Sequence, residues 1–540
     1  MFSTARFKSI FASTTALSLL GLISLICFGP ILFLVWISLE IPADQIHHWE
    51  FLSNSLVPTL LKNTFVLISL LSLTTSSLGV LLAYLIVFCN LPGKKVFDYL
   101  FIIPISLPLY LLAFIYVGMF EFSSPLMTSF RNLGIPLHDW IKMRSTGGVV
   151  FVFTLALYPY VYLLAKSAFL KSGDKMGMVA RSLGLTPLQT FFRLILPYSA
   201  PWILTGTSLA IMEALADFGG VSVFNYDTFT TAIYSAWVGL FSISSAARLS
   251  CFLILFALLL YLGEIKFSQK TRFTSMGKSL KHNQFHRLSL TGQMLSLALA
   301  VAVVFFSLVL PTLQLFVWFS QYFSREWSTS YWTLLYQTFL TSLVAAFITA
   351  LISLLIISLR KLRPGKMADS LTIAAMLGYA LPGSLIAVAV FVSLQVVFQN
   401  TSFNWLGQGS FLFLITGYMI RYLSVSYRTQ QNTYQSIPKS YDLVAKSLGS
   451  SFIRTQRKVF LPLLTPAFLT SFILLFLEIL KEMPMTLMLR PLGFNTLTVK
   501  IYELTAEGEW ERASIAGLFI LLSGMVGSYI LLKFGQKQNA

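Results

Sequence analysis

The sequence predicts an all-α polytopic membrane protein of about twelve transmembrane helices, built as two parallel six-helix halves. Three observations predict it. The 540 residues are 56% hydrophobic and only 11% charged, with mean hydropathy +0.77, whereas soluble domains carry about 25% charged residues. The apolar segments run to about 20 residues or more, enough to cross hydrocarbon as helices, and no series of short alternating segments suggests a barrel. A loop motif also occurs twice, 265 residues apart from Gly184 to Gly449, close to half the chain. Repeats at that offset mean two fused halves, because solenoid periods are an order of magnitude shorter.

The chain starts with Arg6 and Lys8 ahead of an apolar run, Ile10 to Leu39. That run is too long for a cleaved signal core and lacks a small-residue cleavage site, so it reads as the first span. The next five spans are expected near 61–89, 97–121, 147–165, 199–222 and 244–264. A polar linker over 266–290, with Lys266, Lys270, Arg272, Lys278, Lys281 and Arg287, divides a first half (1–265) from a second (291–540). The second half's spans are expected near 291–319, 333–358, 370–398, 410–428, 464–488 and 512–532.

The net charge of +18 belongs to membrane orientation and not to nucleic acid. With both termini in the cytoplasm, most Lys and Arg fall inside, including Lys94-Lys95 and the cluster Arg360-Lys361-Leu362-Arg363, as the positive-inside rule requires. Such clusters set topology and meet lipid headgroups. Cys27, Cys89 and Cys251 are scattered through apolar segments without zinc or disulfide spacing. His47-His48, His138, His282 and His286 form no convincing ligand set; adjacent histidines point apart in a strand and by about 100° in a helix.

The repeated loop lies between the fourth and fifth spans of each half. It reads Met178-Val179-Ala180-Arg181-Ser182-Leu183-Gly184 in the first copy and Leu443-Val444-Ala445-Lys446-Ser447-Leu448-Gly449 in the second. A Leu-Pro step follows in each, ending at Pro197 or Pro462, thirteen residues after the glycine. Ser172 to Leu185 and Pro438 to Leu448 are each expected to form a short amphipathic helix. Gly184 and Gly449 supply the left-handed conformation common past a helix end, and the prolines suit the first turn of the next helix. An ordinary basic loop would not repeat this spacing. Leu107-Pro108 also pairs with Leu381-Pro382, and Asn63-Thr64 with Gln337-Thr338, each 274 residues apart. Pro104, Pro108 and Pro382 read equally as bend points for alternating access or as packing kinks, tolerated in bundles that re-satisfy the freed carbonyls. Six spans per half make the repeat parallel, with its axis along the membrane normal.

Ala180, Gly184 and Pro197, with Ala445, Gly449 and Pro462, match the alanine, glycine and proline of a known signature loop. The chain here resembles the membrane permeases of ATP-binding-cassette importers, whose loop begins Glu-Ala-Ala and forms a coupling helix docked on the ATPase. The glutamates are replaced by Met178 and Leu443. The resemblance implies the type I importer permease fold, a bacterial cytoplasmic (inner) membrane location, and an extracytoplasmic substrate-binding protein. It also implies two copies of a separate ATPase subunit that uses the ATP. The chain itself lacks a phosphate-cradling loop: Gly277-Lys278-Ser279 has Arg272 where the first glycine belongs. No cofactor and no resident metal are assigned, and the chain is read as a transport subunit, not an enzyme.

Two further stretches, Glu213 to Tyr234 and Glu478 to Leu504, look like the fused permeases of ferric iron importers. Thiamine permeases share the fused architecture and are the competing reading. Glu213 and Asp217 are four residues apart, as are Glu478 and Glu482 at the 265-residue offset, so each pair is expected on one helix face. An acidic group at a helix centre costs roughly 2.5–3.5 kcal/mol, so four facing lipid would cost on the order of 10 kcal/mol. They are therefore expected to line an interior translocation path, where carboxylates suit a hard cation. Alternatively, Lys481 could neutralise Glu478 or Glu482 as a structural ion pair. An ion-coupled secondary transporter would explain the acids but not the paired loops. A membrane enzyme has no nucleophile–base constellation to support it.

Overall fold

The computed structural model describes residues 2–40, 49–50, 52–271, 288–399 and 410–539. Their regular structure is entirely helical. Most of the linker, with His282 and His286, and the pair His47-His48 lie outside the described residues. Among those described, seven helices are long and apolar enough to cross a membrane, and nine spans result if each of two sharply bent helix pairs counts as one. The bent pairs are Lys94–Ser106 with Leu109–Met119, at 93°, and Lys366–Tyr379 with Gly383–Gln399, at 117°. Both bends fall at the duplicated Leu-Pro steps, where Pro108 and Pro382 remove an N–H from the helical ladder. The sixth, tenth and twelfth expected spans coincide with Ile243–Thr271, Phe411–Ser436 and Trp510–Asn539. Arg248, Arg421, Arg428 and Arg512 lower their apolarity, so length and composition alone do not establish a count of twelve. Leu22, Leu25, Phe65, Leu73 and Phe316 are exposed on the spans, as lipid-facing side chains must be.

The duplication is visible element by element. Pro187–Thr190, the widened turn Phe191–Ile195 and helix Leu196–Ala216 follow the first loop. Phe452–Thr455, the widened turn Gln456–Phe460 and helix Leu461–Leu480 follow the second at the same spacing. Each long helix then breaks and restarts, as Gly219–Val223 in one half and Pro484–Leu489 in the other. The local chemistry repeats too. The caps at these restarts come from the acids described below, and the following helices begin on paired threonines, Thr228 with Thr230 at 2.9 Å and Thr496 with Thr498 at 3.0 Å.

The halves interlock; they do not merely lie side by side. The first helix, Phe2–Leu39, packs on Thr329–Leu362, Lys366–Met376 and Gly383–Gln399 of the second half, with Leu20, Cys27 and Leu34 in one buried cluster with Ile386 and Tyr418. Conversely, Leu290–Glu326 packs against the first half: the Tyr116 hydroxyl donates to the Phe306 carbonyl at 2.6 Å, and Phe114 stacks on Trp318 at 6.3 Å. Close helix approach elsewhere depends on small residues. A Cβ on Gly206 would meet the Val161 Cα at 2.8 Å and the Tyr160 carbonyl oxygen at 3.0 Å, both backbone.

Gly206→Leu should therefore destabilise the purified protein by about 1–3 kcal/mol, the usual range for overpacking. Gly21→Leu, where an added Cβ meets nothing within 4 Å, should not. Thermal unfolding midpoints in detergent distinguish them; equal midpoints would disprove the packing argument.

Candidate translocation site

Four helix interruptions converge on one place. The break after Ser106, the break before Gly383, and the ends of helices Leu196–Ala216 and Leu461–Leu480 all border a central cavity of about 350 Å³ and an adjoining one of about 80 Å³. Tyr160 and Glu213 of the first half line the larger cavity, as do Tyr379, Arg421, Tyr422, Glu478 and Lys481 of the second. Asp217, Glu482 and Tyr110 join at the smaller one. All four acids singled out in the sequence thus meet between the halves. At 1.5 Å per residue, Glu213 lies about 25 Å along its helix from Leu196, at the end away from the repeated loop.

The expected common face of each acid pair is not what forms. The first helix ends at Ala216, and Asp217 turns extended at φ −79°, ψ 122°. The reason is local: the Asp217 carboxylate accepts the Gly220 N–H at 2.6 Å and so caps the restarting helix. In the second half Lys481 ends the helix and Pro484 opens the next. There Glu482 takes the equivalent role, accepting from the Met485 N–H at 3.4 Å. The carbonyls of both acids also accept a threonine hydroxyl, from Thr230 and Thr498, each at 3.1 Å.

The charges are held unequally. Arg421 sits 3.3 Å from Glu482, with side-chain exposures of 13% and 6%, and the Tyr422 hydroxyl donates to the other Glu482 oxygen at 2.8 Å. Gly383 makes room for this pair, since a Cβ there would fall 2.3 Å from the Arg421 Nη1. Lys481 pairs with Glu478 at 2.9 Å, three residues apart and wetter, at 24% and 36% exposure. So a structural ion pair involving Lys481 does form, with Glu478. A buried pair costs about 3–5 kcal/mol to break; the Lys481–Glu478 pair, more open to the cavity, is held less tightly. Glu213 forms no hydrogen bond or ion pair among the described residues; it only feels the charges of Glu478, Arg421, Lys481 and Glu482. Among the described residues no three His, Cys, Asp or Glu side chains cluster closely enough to hold a metal ion.

Arg421 falls inside the span expected near 410–428, but the sequence-based expectations did not join it to the acids. Its signal was available, because an ionisable residue in an apolar helix must find a partner inside. Tyr160, Tyr379 and Tyr422 left no such signal among 22 tyrosines. Beyond the acids, Phe218 and Tyr234 of the first half, 4.7 Å apart, pack on Tyr502 of the second at 5.4 and 6.0 Å between ring centroids. The three rings border a further cavity of about 590 Å³.

The repeated loops form as paired helix ends. Gly184 and Gly449 adopt φ +68° and +69°. The N–H of Leu185 reaches the Ala180 carbonyl at 3.0 Å, and that of Ser450 reaches Ala445 at 3.0 Å, the bond that closes a Schellman end. Ala180 and Ala445 are buried, and Pro197 and Pro462 stand in the first turn of their helices. One expectation needs correction. Only the second loop carries a separate short helix, Ser440–Ser447; the first continues unbroken from the preceding span as Thr146–Ser182. Pro438 breaks the second, whereas Gly173 occupies the matching position of the first. The second helix is tied down by an ion pair between Lys361 and Asp442 at 2.7 Å. Leu183 and Leu188, and their repeat partners Leu448 and Ile453, are exposed by 56–79%.

A chain of spanning helices in two interlocked repeats around an internal polar cavity is a multi-pass membrane permease. Comparison with known proteins gives its family. The model of the binding-protein-dependent transport system inner membrane component matches residues 355–537. The Molybdenum transport system permease protein ModB of Escherichia coli is 31% identical over 207 residues, 35% of this chain and 87% of ModB. The Fe(3+)-transport system permease protein FbpB 2 of Haemophilus influenzae is 26% identical over 494 residues, covering 90% of this chain and 92% of FbpB 2. The Ferric transport system permease protein FbpB of Actinobacillus pleuropneumoniae is 23% identical over 414 residues, 72% and 58% of the two chains. The chain belongs to the binding-protein-dependent transport permeases of the inner membrane, and is a transport subunit.

Glu482→Gln should lower the unfolding midpoint by an amount equivalent to about 3–5 kcal/mol, because it leaves the Arg421 guanidinium buried without a counter-charge. Adding Arg421→Met should recover most of that loss. A double variant no more stable than the single one would show that the pair is not what holds the break together.

Proposed function

We propose that the chain is the permease of an importer for ferric iron, with the central cavity as its translocation path. The observation that carries this is the cavity's charge: four carboxylates, Glu213, Asp217, Glu478 and Glu482, face two cations, Arg421 and Lys481. A formally net-negative, low-dielectric passage concentrates cations and repels anions, so the molybdate or sulfate of other family members fits poorly. Oxygen donors suit a hard trivalent ion. A path that bound the ion firmly would not release it, so transient contact with these carboxylates is what passage requires. The near full-length likeness to a relative named for Fe(3+) transport supports the same substrate. Thiamine is the second reading, favoured by the tyrosine rings of the cavity, which would also accept a flat organic cation.

Coupling is assigned to the repeated loops. Two copies of a separate ATPase subunit dock at Ala180–Gly184 and Ala445–Gly449, where the exposed Leu183, Leu188, Leu448 and Ile453 offer apolar contact in place of the family's glutamates. An extracytoplasmic binding protein delivers substrate at the opposite end, near the Phe218–Tyr234–Tyr502 cluster. ATP-driven closure moves the loops, and helices Leu196–Ala216 and Leu461–Leu480 carry that motion to the breaks beside the cavity. Both termini are then cytoplasmic.

Cells lacking the gene should lose uptake of labelled ferric iron and keep uptake of labelled thiamine; the reverse result would overturn the substrate assignment while leaving the permease intact. Gly449→Val places a β-branched residue at positive φ, where an added Cβ touches nothing, so only the loop backbone is disturbed. It should cut binding-protein-stimulated ATPase activity and uptake at least tenfold, and normal coupling in that variant would refute the role given to the loop.

A further inference from the structure

The two repeats can be compared residue by residue at the cavity, and they differ in one respect. Glu213 and Glu478 correspond at the 265-residue offset, but Lys481 corresponds to Ala216 and Arg421 to Ala156. Among the described residues, both basic side chains that line the cavity, Arg421 and Lys481, therefore come from the second half. The second-half acids are both neutralised: Glu482, which also accepts from the Tyr422 hydroxyl, by a buried arginine, and Glu478 by a more exposed lysine. In the first half Asp217 is spent on capping a helix, and Glu213 faces the cavity without a hydrogen bond or ion pair to any described residue. The two cations also differ in freedom. Arg421 is wedged against Gly383 and held by Glu482. Lys481 is a point charge on a flexible four-carbon stem, and it lies within electrostatic reach of Glu213 as well as Glu478.

We propose that the repeats have divided the work of the path: Glu213 is the carboxylate open to the cationic substrate, and Lys481 is a tethered counter-cation that rests on Glu478 and keeps the empty path from binding cations too tightly. This rests on the cation-importer reading above. Glu478 acts as the parking place of the ammonium and does not itself contact the substrate. If the parking place is lost, the ammonium moves to the next carboxylate within reach, which is Glu213, and occupies the path.

The test uses the complete transporter in cells and labelled ferric iron, with co-purification of the ATPase subunit as the check of assembly. Glu213→Gln should lower uptake at least tenfold. Glu478→Gln should lower it at least fivefold, and adding Lys481→Gln should restore it to within threefold of the wild type. Uptake above half of wild type in Glu213→Gln, or a double variant as poor as Glu478→Gln alone, would overturn the proposal. A second measurement needs no substrate. With Cys27, Cys89 and Cys251 replaced by serine, Glu213→Cys is treated with cationic and anionic methanethiosulfonate reagents in detergent. Adding Lys481→Gln should raise the cationic-to-anionic rate ratio at least fivefold; an unchanged ratio places Lys481 away from Glu213 and overturns the proposal. Absence of gene-dependent iron uptake in wild-type cells would instead sink the ferric reading, and the reagent ratio would still judge the role of Lys481.

Discussion

The constraint on which the rest of this molecule depends is the backbone of interrupted membrane helices. Hydrocarbon offers no water to an unpaired N–H or C=O, so a helix can break only where protein or a wet cavity takes over. Here four breaks meet at one point between the halves, and side chains take over the freed groups. The Asp217 carboxylate accepts from Gly220, and that of Glu482 from Met485; Thr230 and Thr498 donate to the carbonyls of the same two acids. Capping requires the acids to be there, and their charge then requires a polar cavity. The cavity and the breaks are thus two sides of one solution, and neither would be tolerated alone.

Parallel duplication explains why this solution appears twice, and the differences between copies show what each half gave up. Both halves kept the cap, the paired threonines and the loop glycine, because these serve backbone geometry that cannot vary. The basic residues were free to vary, and only the second half has them. An ion pair buried as deeply as Arg421–Glu482 holds elements together but cannot exchange; one as wet as Lys481–Glu478 can. Burial, more than charge count, separates the part of the cavity that is structure from the part that can respond to a ligand.

What was legible in the sequence follows the same division. Gly184, Gly449, Pro197 and Pro462 were legible because positive φ and a missing N–H are demands on residue type that spacing alone reveals. The apolar runs announced the fold class for a similar reason. The common helix face of Glu213 and Asp217 was misjudged because an i, i+4 spacing assumes an unbroken helix, whereas this one ends at Ala216 and Asp217 turns extended to cap the restart. The separate helix expected at the first loop failed on one residue, since Gly173 lets a helix continue where Pro438 does not. The exchange of first helices between halves left no mark at all. Apolar side chains such as Leu20 and Leu34 pack equally well on either half, and only the folded topology decides.

These features also connect the two ends of the molecule. Helices Leu196–Ala216 and Leu461–Leu480 begin one widened turn beyond the repeated loops and end at the breaks beside the acids. A helix is stiff along its axis, so a push at the loop arrives at the break with little loss. In the coupling proposed above the break is where such motion is absorbed, because part of its hydrogen bonding runs to the Asp217 and Glu482 carboxylates and not to helix carbonyls. On that proposal, a displacement there would change which carboxylate faces which cation. In the coupling proposed above, mechanical input and cavity charge are linked through the residues that cap the interrupted helices, and a rigid, uninterrupted span in either place would uncouple them.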